Sequence, residues 1–269
     1  MGGTLHVPCP TGFALMHPCV HQNIGNIAPA TEAGLLRMVT TALNRALVAA
    51  SPAEIIDAAV HAVPRGKLAV VSSFGTESAA LLKYVADVDR SLPVLFLDTG
   101  WLFPETIAYR DTLIERLGLA DVRTIKPDNS AVAKRDPDAD LWSRDPDACC
   151  NLRKVAPLAA ELSSFDGWIN GRKRFHGGER SALPVVEVEG SRLKFNPLVQ
   201  ASPAELAAVF DDAGLPRHPL ERNGFSSVGC MPCTSAGAPG EGPRAGRWRG
   251  RGKTECGIHG VALPAAERA

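Results

Sequence analysis

The sequence has no net charge. Lys and Arg total 29 and so do Asp and Glu, which removes the global attraction that nucleic-acid and membrane-surface binders use. Nor does any apolar run approach the roughly 20 residues of a membrane span. The N-terminus lacks a positive region ahead of an apolar core, so it does not read as a secretory signal. A disulfide framework is missing too: the seven cysteines are odd in number and spaced like metal ligands, which fits a reducing cytoplasm. What remains is an ordinary globular composition. A chain of 269 residues, 45% hydrophobic and 22% charged, suffices for one large domain with appendages and a substantial core.

Against this plain background the cysteines stand out. Cys149 and Cys150 are adjacent, and Cys230-Met231-Pro232-Cys233 forms a second pair. Four thiolates serve either a structural zinc or a [4Fe–4S] cluster. The second pair has ordinary ligand spacing, but zinc pairs rarely sit side by side. Adjacent cysteines at a helix start diverge by roughly 100° and suit two corners of a large cluster better than one ion. Lys154, four residues after Cys150, falls on the same helix face and would offset the cluster's negative charge.

In chain order, residues 1–30 carry Pro8, Pro10, Pro18 and Pro29 without periodicity and read as a poorly ordered leader. Its His6, Cys9, His17, Cys19 and His21 have no evident scaffold to hold a metal. Leu35, Leu36, Val39, Leu43 and Leu47 predict a helix, and Ser51-Pro52-Ala53-Glu54 opens another with a capping box. Short apolar strands then alternate with helices: 68–73, 94–97, 121–126 and 166–171, followed by two strand-like runs at 185–188 and 193–195. Ser202-Pro203-Ala204-Glu205 is a second capping box. The alternation predicts an α/β fold, a parallel twisted sheet with helices on both faces.

Ligands of such sheets bind beyond the carboxyl ends of the strands. At the first such end, Ser72, Ser73, Gly75 and Thr76 offer hydroxyl and N–H donors to an anion, without the lysine of a Walker loop. Asp98-Thr99-Gly100 at the second end could hold a ribose or simply cap a turn. The stretch 126–148 is charged and turn-rich, a loop of functional length. Arg172, Lys173, Arg174 and Arg180 crowd one strand end, more cations than a crevice without an anion would need. Residues 236–252 hold six Gly, two Pro and four Arg against one Glu; the composition predicts a mobile tail with no packed element of its own. Cys256 beyond it is a lone cysteine in cation-rich surroundings, the setting of a nucleophilic thiolate.

Ser72–Ser78, LDTG (97–100), CCNLRKVAPL (149–158), GRKR (171–174), CMPC (230–233), the Arg-bearing tail and KTECGIHG (253–260) together resemble the assimilatory adenylyl-sulfate and phosphoadenylyl-sulfate reductase family, of the iron–sulfur type. The resemblance spans about residues 31–260. It implies an adenine nucleotide alpha-hydrolase-like (PP-loop) fold, with the phosphosulfate bound at the first strand turn. It further implies that Cys256 takes the sulfuryl group as a thiosulfonate and that thioredoxin or a similar dithiol releases sulfite. Under it Cys256, His259 and Lys154 are catalytic. Ser72, Ser73, Gly75, Thr76, Asp98, Thr99, Gly100, Arg172, Lys173, Arg244 and Arg247 bind substrate, and Cys149, Cys150, Cys230 and Cys233 hold the [4Fe–4S] cluster. Trp101 after LDTG and FHGGER after GRKR depart from the family's usual wording, which leaves the roles of Arg174 and Arg180 open.

The resulting expectation is a cytoplasmic reductase that cleaves adenylyl sulfate to sulfite and AMP. Residues 31–235 would form the reductase domain, and the mobile tail 236–269 would carry the nucleophile. A homo-oligomer is compatible with this reading; nucleic acid and membrane are not expected partners. Preference for 3′-phosphoadenylyl sulfate is the alternative within the enzyme class. An iron–sulfur redox sensor binding nucleic acid through the arginine tail is the alternative outside it.

Overall fold

The structure, a computed structural model, describes residues 31–260. The leader 1–30 and residues 261–269 lie outside the described residues. Helices α1 (Glu32–Ala46) and α2 (Pro52–Ala62) precede the first strand. Both capping boxes form: Ser51 and Glu54 satisfy each other's backbone N–H at the start of α2, and Ser202 and Glu205 do so later. The chain then runs β1 (Leu68–Val71), α3 (Ser78–Val88), β2 (Val94–Leu97), α4 (Pro104–Leu117) and β3 (Val122–Ile125). The charged stretch that follows is not an open loop. It folds into α5 (Asn129–Arg135), α6 (Leu141–Arg144) and α7 (Pro146–Cys150). Asp128 caps α5 and Asp145 caps α7, and an ion pair of 2.7 Å joins the buried Asp136 to Arg153. The acidic residues that made this segment look like a loop are its helix caps and anchor.

A π-helical turn, Asn151–Val155, links α7 to α8 (Ala156–Leu162). Its cause is local. Pro157 has no N–H to give, and its ring crowds the carbonyl of Arg153 four residues back, so the backbone widens just before it. Strands β4 (Gly167–Asn170), β5 (Val186–Glu189) and β6 (Arg192–Phe195) and helix α9 (Pro203–Asp212) complete the fold.

The sheet order is β3-β2-β1-β4-β6-β5. All neighbours are parallel except β5, which pairs with β6 as an antiparallel edge. Asn44 of α1 covers that edge, exchanging two hydrogen bonds of 2.8 and 3.0 Å with Val186, so the strand end is not left open. Alternation along each strand divides the core in two. Val70, Val94, Phe96, Ile169 and Phe195 pack under α1–α4 and α9. Ala69, Val71, Leu95 and Trp168 pack under α8. On this second face Lys194 is the β6 partner of Trp168 in the β4–β6 register. Among the described residues no helix is long and apolar enough to cross a membrane.

His218, fully buried, ties α4 to the 3₁₀ turn Pro219–Asn223. Its Nδ1 accepts the Leu220 N–H at 3.2 Å, so the ring's proton sits on Nε2 and is donated to the Thr106 hydroxyl at 3.0 Å. Burial pushes its pKa down to about 4, against a weaker pull from Glu105. The neutral ring therefore stabilises the fold above the unfolded pKa of about 6.5, and this contribution is lost as pH falls toward 4. Between about pH 7 and pH 5 the loss is at most about 2 kcal/mol. In His218→Gln, which cannot protonate, denaturant midpoints should fall less between those two pH values than in the parent. Equal slopes would show that His218 is not the responsible group.

Candidate active site

The four paired cysteines line one small cavity, walled by Trp101, Trp142, Pro146, Arg153, Lys154, Pro232 and Trp248. All four are free thiols. Among the described residues, no three His, Cys, Asp or Glu side chains form a group fit to hold a single metal ion. The Thr99 hydroxyl lies 3.2 Å from Cys230 Sγ. Burial raises the Cys149 and Cys150 pKa values to about 11 and also raises that of Cys233. Burial pushes Cys230 the same way, but Lys154, the Thr99 hydroxyl and Arg247 outweigh it and its pKa is lowered. Lys154, within the π turn, keeps Cys150 beside it, as the four-residue spacing predicts, and also sets its ammonium against Cys230. Lys154 keeps a raised pKa, because the thiolates outweigh the desolvation that opposes it. An aromatic-walled set of four thiols with cations and a hydroxyl around it suits a cluster held at separate corners better than one ion.

Lys154 and Trp248 also line a second cavity of about 190 Å³ at the carboxyl ends of β1 and β4. Here the structure brings together Ser72, Ser73, Gly75, Thr76, Lys154, Arg172, Lys173, Arg244, Arg247, Cys256 and His259. The turn after β1 is held by Phe74 at φ +48°, a conformation that costs about 1–2 kcal/mol. Its ring, edge-on to Phe96 at 5.3 Å, is fully buried and keeps it there. Part of the turn's donor set is already used: Gly75 N–H meets Ser78 at 2.9 Å, and the Thr76 hydroxyl donates to the Ser226 carbonyl at 2.9 Å. No side chain caps α3, so its N-terminus faces the cavity as an anion site.

Segment 236–260 carries no helix or strand, yet it is packed, unlike the free tail its composition predicts. Trp248 is buried at φ +48°. Its backbone N–H donates to the Cys233 carbonyl at 2.9 Å. Arg247 lies 4.5 Å and Lys253 5.7 Å from its ring centre. Arg247 also rests on Gly229, where any side chain would collide with it. Arg251 donates to the Trp142 carbonyl at 2.6 Å, and Lys253 pairs with Asp147. The partners lie far away in sequence, which is why local composition does not reveal them.

The crowded cations find carboxylates. Arg172 pairs with Glu187. Lys173 donates to Glu77 at 2.7 Å, and His176 Nε2 donates to the same carboxylate at 2.9 Å. Burial would raise the Glu77 pKa, but His176 and Lys173 outweigh it and hold it at about 2. Arg180 grips Glu255 with two bonds of 2.6 and 2.8 Å, next to Cys256. Arg174 instead donates to the Leu183 carbonyl at 2.8 Å. Even so, six cationic side chains against Glu77 and Glu255 line the cavity, which favours an anionic ligand. His259 is not placed as a proton carrier at neutral pH. Burial, then Lys194 and three arginines, hold its pKa well below the usual value, and its ring stacks on Trp168.

Three expected substrate ligands lie elsewhere. Asp98 and Gly100 border a separate surface groove with Lys126, where Asp98 accepts the Gly100 N–H at 3.0 Å. Thr99 points inward to Cys230, and its carbonyl accepts from Arg153 at 3.0 Å. Conversely, Glu77, His176, Arg180 and Glu255 escaped the sequence reading as a set. Arg180 was flagged only as one of the crowded cations, and Glu255 only as a neighbour of Cys256.

The docked arm depends on a residue without a side chain. A Cβ at Gly246 would stand 2.0 Å from the Ser235 carbonyl oxygen, and backbone cannot yield there. Gly246→Ala should therefore release the arm. Trp248 emission should shift to the red and activity should fall by about tenfold or more, with the core's cooperative unfolding retained. Unchanged emission and activity would show that the arm is not held at this point.

The comparisons agree with the geometry. The family model for the phosphoadenosine phosphosulfate reductase domain matches residues 67–236. An adenosine 5′-phosphosulfate reductase of Mesorhizobium japonicum is 46% identical over 208 residues, covering 77% of this chain and 82% of that one. A phosphoadenosine 5′-phosphosulfate reductase of Gloeobacter violaceus is 38% identical over 203 residues, covering 72% and 82%. The crystal structure of a phosphoadenylyl-sulfate (PAPS) reductase from Candida auris, a phosphate complex, superposes with a TM-score of 0.62 at 26% identity, over 73% of this chain and 96% of that one. The fold is thus the adenine nucleotide alpha-hydrolase-like type. The chain belongs to the phosphoadenosine phosphosulfate reductase family and is an enzyme, a reductase of sulfate reduction.

Proposed function

We propose that the enzyme cleaves adenylyl sulfate to sulfite and AMP in the cytoplasm, using Cys256 as nucleophile and thioredoxin or a similar dithiol as reductant. The supporting observation is the placement of Cys256 in a cation-lined cavity that shares Lys154 and Trp248 with the four-cysteine cavity. Residues 31–235 act as the nucleotide- and cluster-binding domain and 236–260 as the arm that brings the nucleophile.

In the proposed reaction the nucleotide's phosphosulfate meets the α3 N-terminus, Arg244 and Arg247, whose guanidinium forks suit its oxygens. The Cys256 thiolate attacks the sulfuryl sulfur. The bond from that sulfur to the bridging oxygen breaks, and AMP leaves with the electron pair while a thiosulfonate stays on Cys256. One thiolate of the external dithiol then attacks Cys256 Sγ and expels sulfite. The second thiol closes the donor's disulfide and returns Cys256. Two electrons pass from the dithiol to sulfur. With the other four C-terminal-half cysteines assigned as ligands, none nearby is left to resolve Cys256. Cys149, Cys150, Cys230 and Cys233 would hold a [4Fe–4S] cluster, which when bound supplies a concentrated charge beside Lys154. His259 serves as a neutral, stacked wall of the cavity.

Preference for the unphosphorylated nucleotide is supported by Glu77 and Glu255, which already occupy Lys173 and Arg180. The names of the Gloeobacter violaceus and Candida auris relatives favour the 3′-phosphorylated substrate as the second reading. The nucleic-acid sensor has less support, because Arg244, Arg247 and Arg251 point into the protein.

Anaerobic purification should yield a brown protein with about four irons per chain; one zinc without visible absorbance would overturn the cluster. Adenylyl sulfate should show the higher kcat/KM for sulfite release when thioredoxin is supplied. Cys256→Ser should abolish release while keeping iron content and nucleotide binding, since serine's hydroxyl stays protonated near neutral pH. Without thiol, mass analysis should find the sulfur adduct on Cys256. An adduct on another cysteine would refute the assignment of the nucleophile.

A further inference from the structure

We propose that Trp168, Lys194 and Glu189 form a seat for the C-terminal arm and position Cys256 through His259. The inference rests on Cys256 being the reactive thiol.

The sheet's own periodicity builds the seat. Trp168 of β4 and Lys194 of β6 are register partners, so they project from the same face, the one otherwise lined by Ala69, Val71 and Leu95. An apolar residue at 194 would continue that face. Instead the position holds a lysine only 1% exposed, and a buried ammonium persists only where its donors are used. Lys194 Nζ donates to Glu189 Oε1 at 2.9 Å and to the His259 carbonyl at 3.1 Å. It also lies 4.7 Å from the centre of the Trp168 ring. Trp168 Nε1 donates to the other oxygen of Glu189 at 3.0 Å. One carboxylate therefore orients both the ammonium and the indole. The indole in turn carries the His259 ring, stacked at 5.6 Å and 2° between planes.

The contacts reach the nucleophile from its far side. Arg180 holds Glu255, immediately before Cys256. Gly257, at φ +86°, turns the chain just after it. Ile258 then packs on the Trp168 cluster, and His259 enters the seat. Cys256 thus sits between two anchors, one ionic and one built from the sheet. The first lies in the cation-rich cavity itself; the second is buried in the core and touches the arm only beyond the nucleophile. Trp168, Lys194 and Glu189 are positioning residues, since they act through His259.

The test uses the full-length protein, purified without oxygen. Replacing Lys194→Met and Glu189→Gln together removes the charge pair without leaving one charge buried alone, and the glutamine carbonyl still accepts from Trp168. Iodoacetamide labelling of Cys256, located by mass, should accelerate about tenfold when a hydrogen bond from a charged group is lost. Cooperative unfolding and iron content should be retained. The sulfite-release kcat should fall by a similar factor with KM nearly constant, because the nucleotide's own contacts are untouched. Lys194→Arg, which keeps a buried donor, should recover part of both. Parent-like labelling and kcat in the paired variant would overturn the seat. If that variant does not fold, His259→Ala removes the arm's other contact with the seat, the ring stacked on Trp168, while keeping the carbonyl that Lys194 binds; faster labelling there supports the seat and parent-like labelling overturns it. Labelling does not depend on turnover. A sulfur adduct found on another cysteine would therefore refute the proposed chemistry, while slow labelling in the variants would refute the seat.

Discussion

Five parallel strands deliver their connections to one edge of one sheet, and the chemistry of this protein is arranged by that constraint. The loops after β1 and β4 meet there with the cysteine-bearing helix and the C-terminal arm. No single loop holds a complete site. The turn after β1 offers a helix N-terminus, the segment after β4 offers cations, and the arm brings the thiol. Side chains from segments more than a hundred residues apart therefore meet in one cavity. Such a site requires long-range contacts to be satisfied before it exists at all.

Much of the scaffold was legible because it is written locally. The capping boxes at Ser51 and Ser202 formed as their spacing predicts, and short apolar runs between turn residues became the strands. The paired cysteines converged on one cavity. What was not legible depends on partners distant in sequence. Arginines in a glycine-rich stretch look solvated until Gly229 and Trp248 are seen to receive Arg247. Asp98, Thr99 and Gly100 looked like one binding unit, yet the sheet's end splits them: Asp98 and Gly100 face an outer groove, while Thr99 turns toward Cys230. A strand's alternation shows that Trp168 faces a core, but not that a lysine lies beside it.

The charge distribution shows a related logic. A run of cations suggests an empty electropositive crevice, but Glu77, Glu187 and Glu255 each take one. Pairing costs some of the attraction for an anion and gains fixed geometry, since a buried arginine held by a carboxylate cannot swing away. Arg180 illustrates the exchange. It is bound to Glu255, so a cation facing the cavity also ties down the segment that carries the thiol. Recognition of ligand and docking of the arm are therefore not separate properties.

The widened turn at Asn151–Val155 has a consequence for how this site tolerates change. A π turn takes up one more residue than a regular helix for the same advance, so everything after it is rotated relative to the cysteines before it. The proline three positions beyond Lys154 favours that state. Shortening the segment by one residue would restore an ordinary helix without altering any ligand. Regularising the helix while keeping every residue would instead turn the chain through and beyond Lys154 by on the order of 100°, carrying its ammonium away from the wall between the two cavities. Composition could remain compatible with both cavities while the residue joining them faced elsewhere. The phase of the helix is thus as much a part of the site as its side chains.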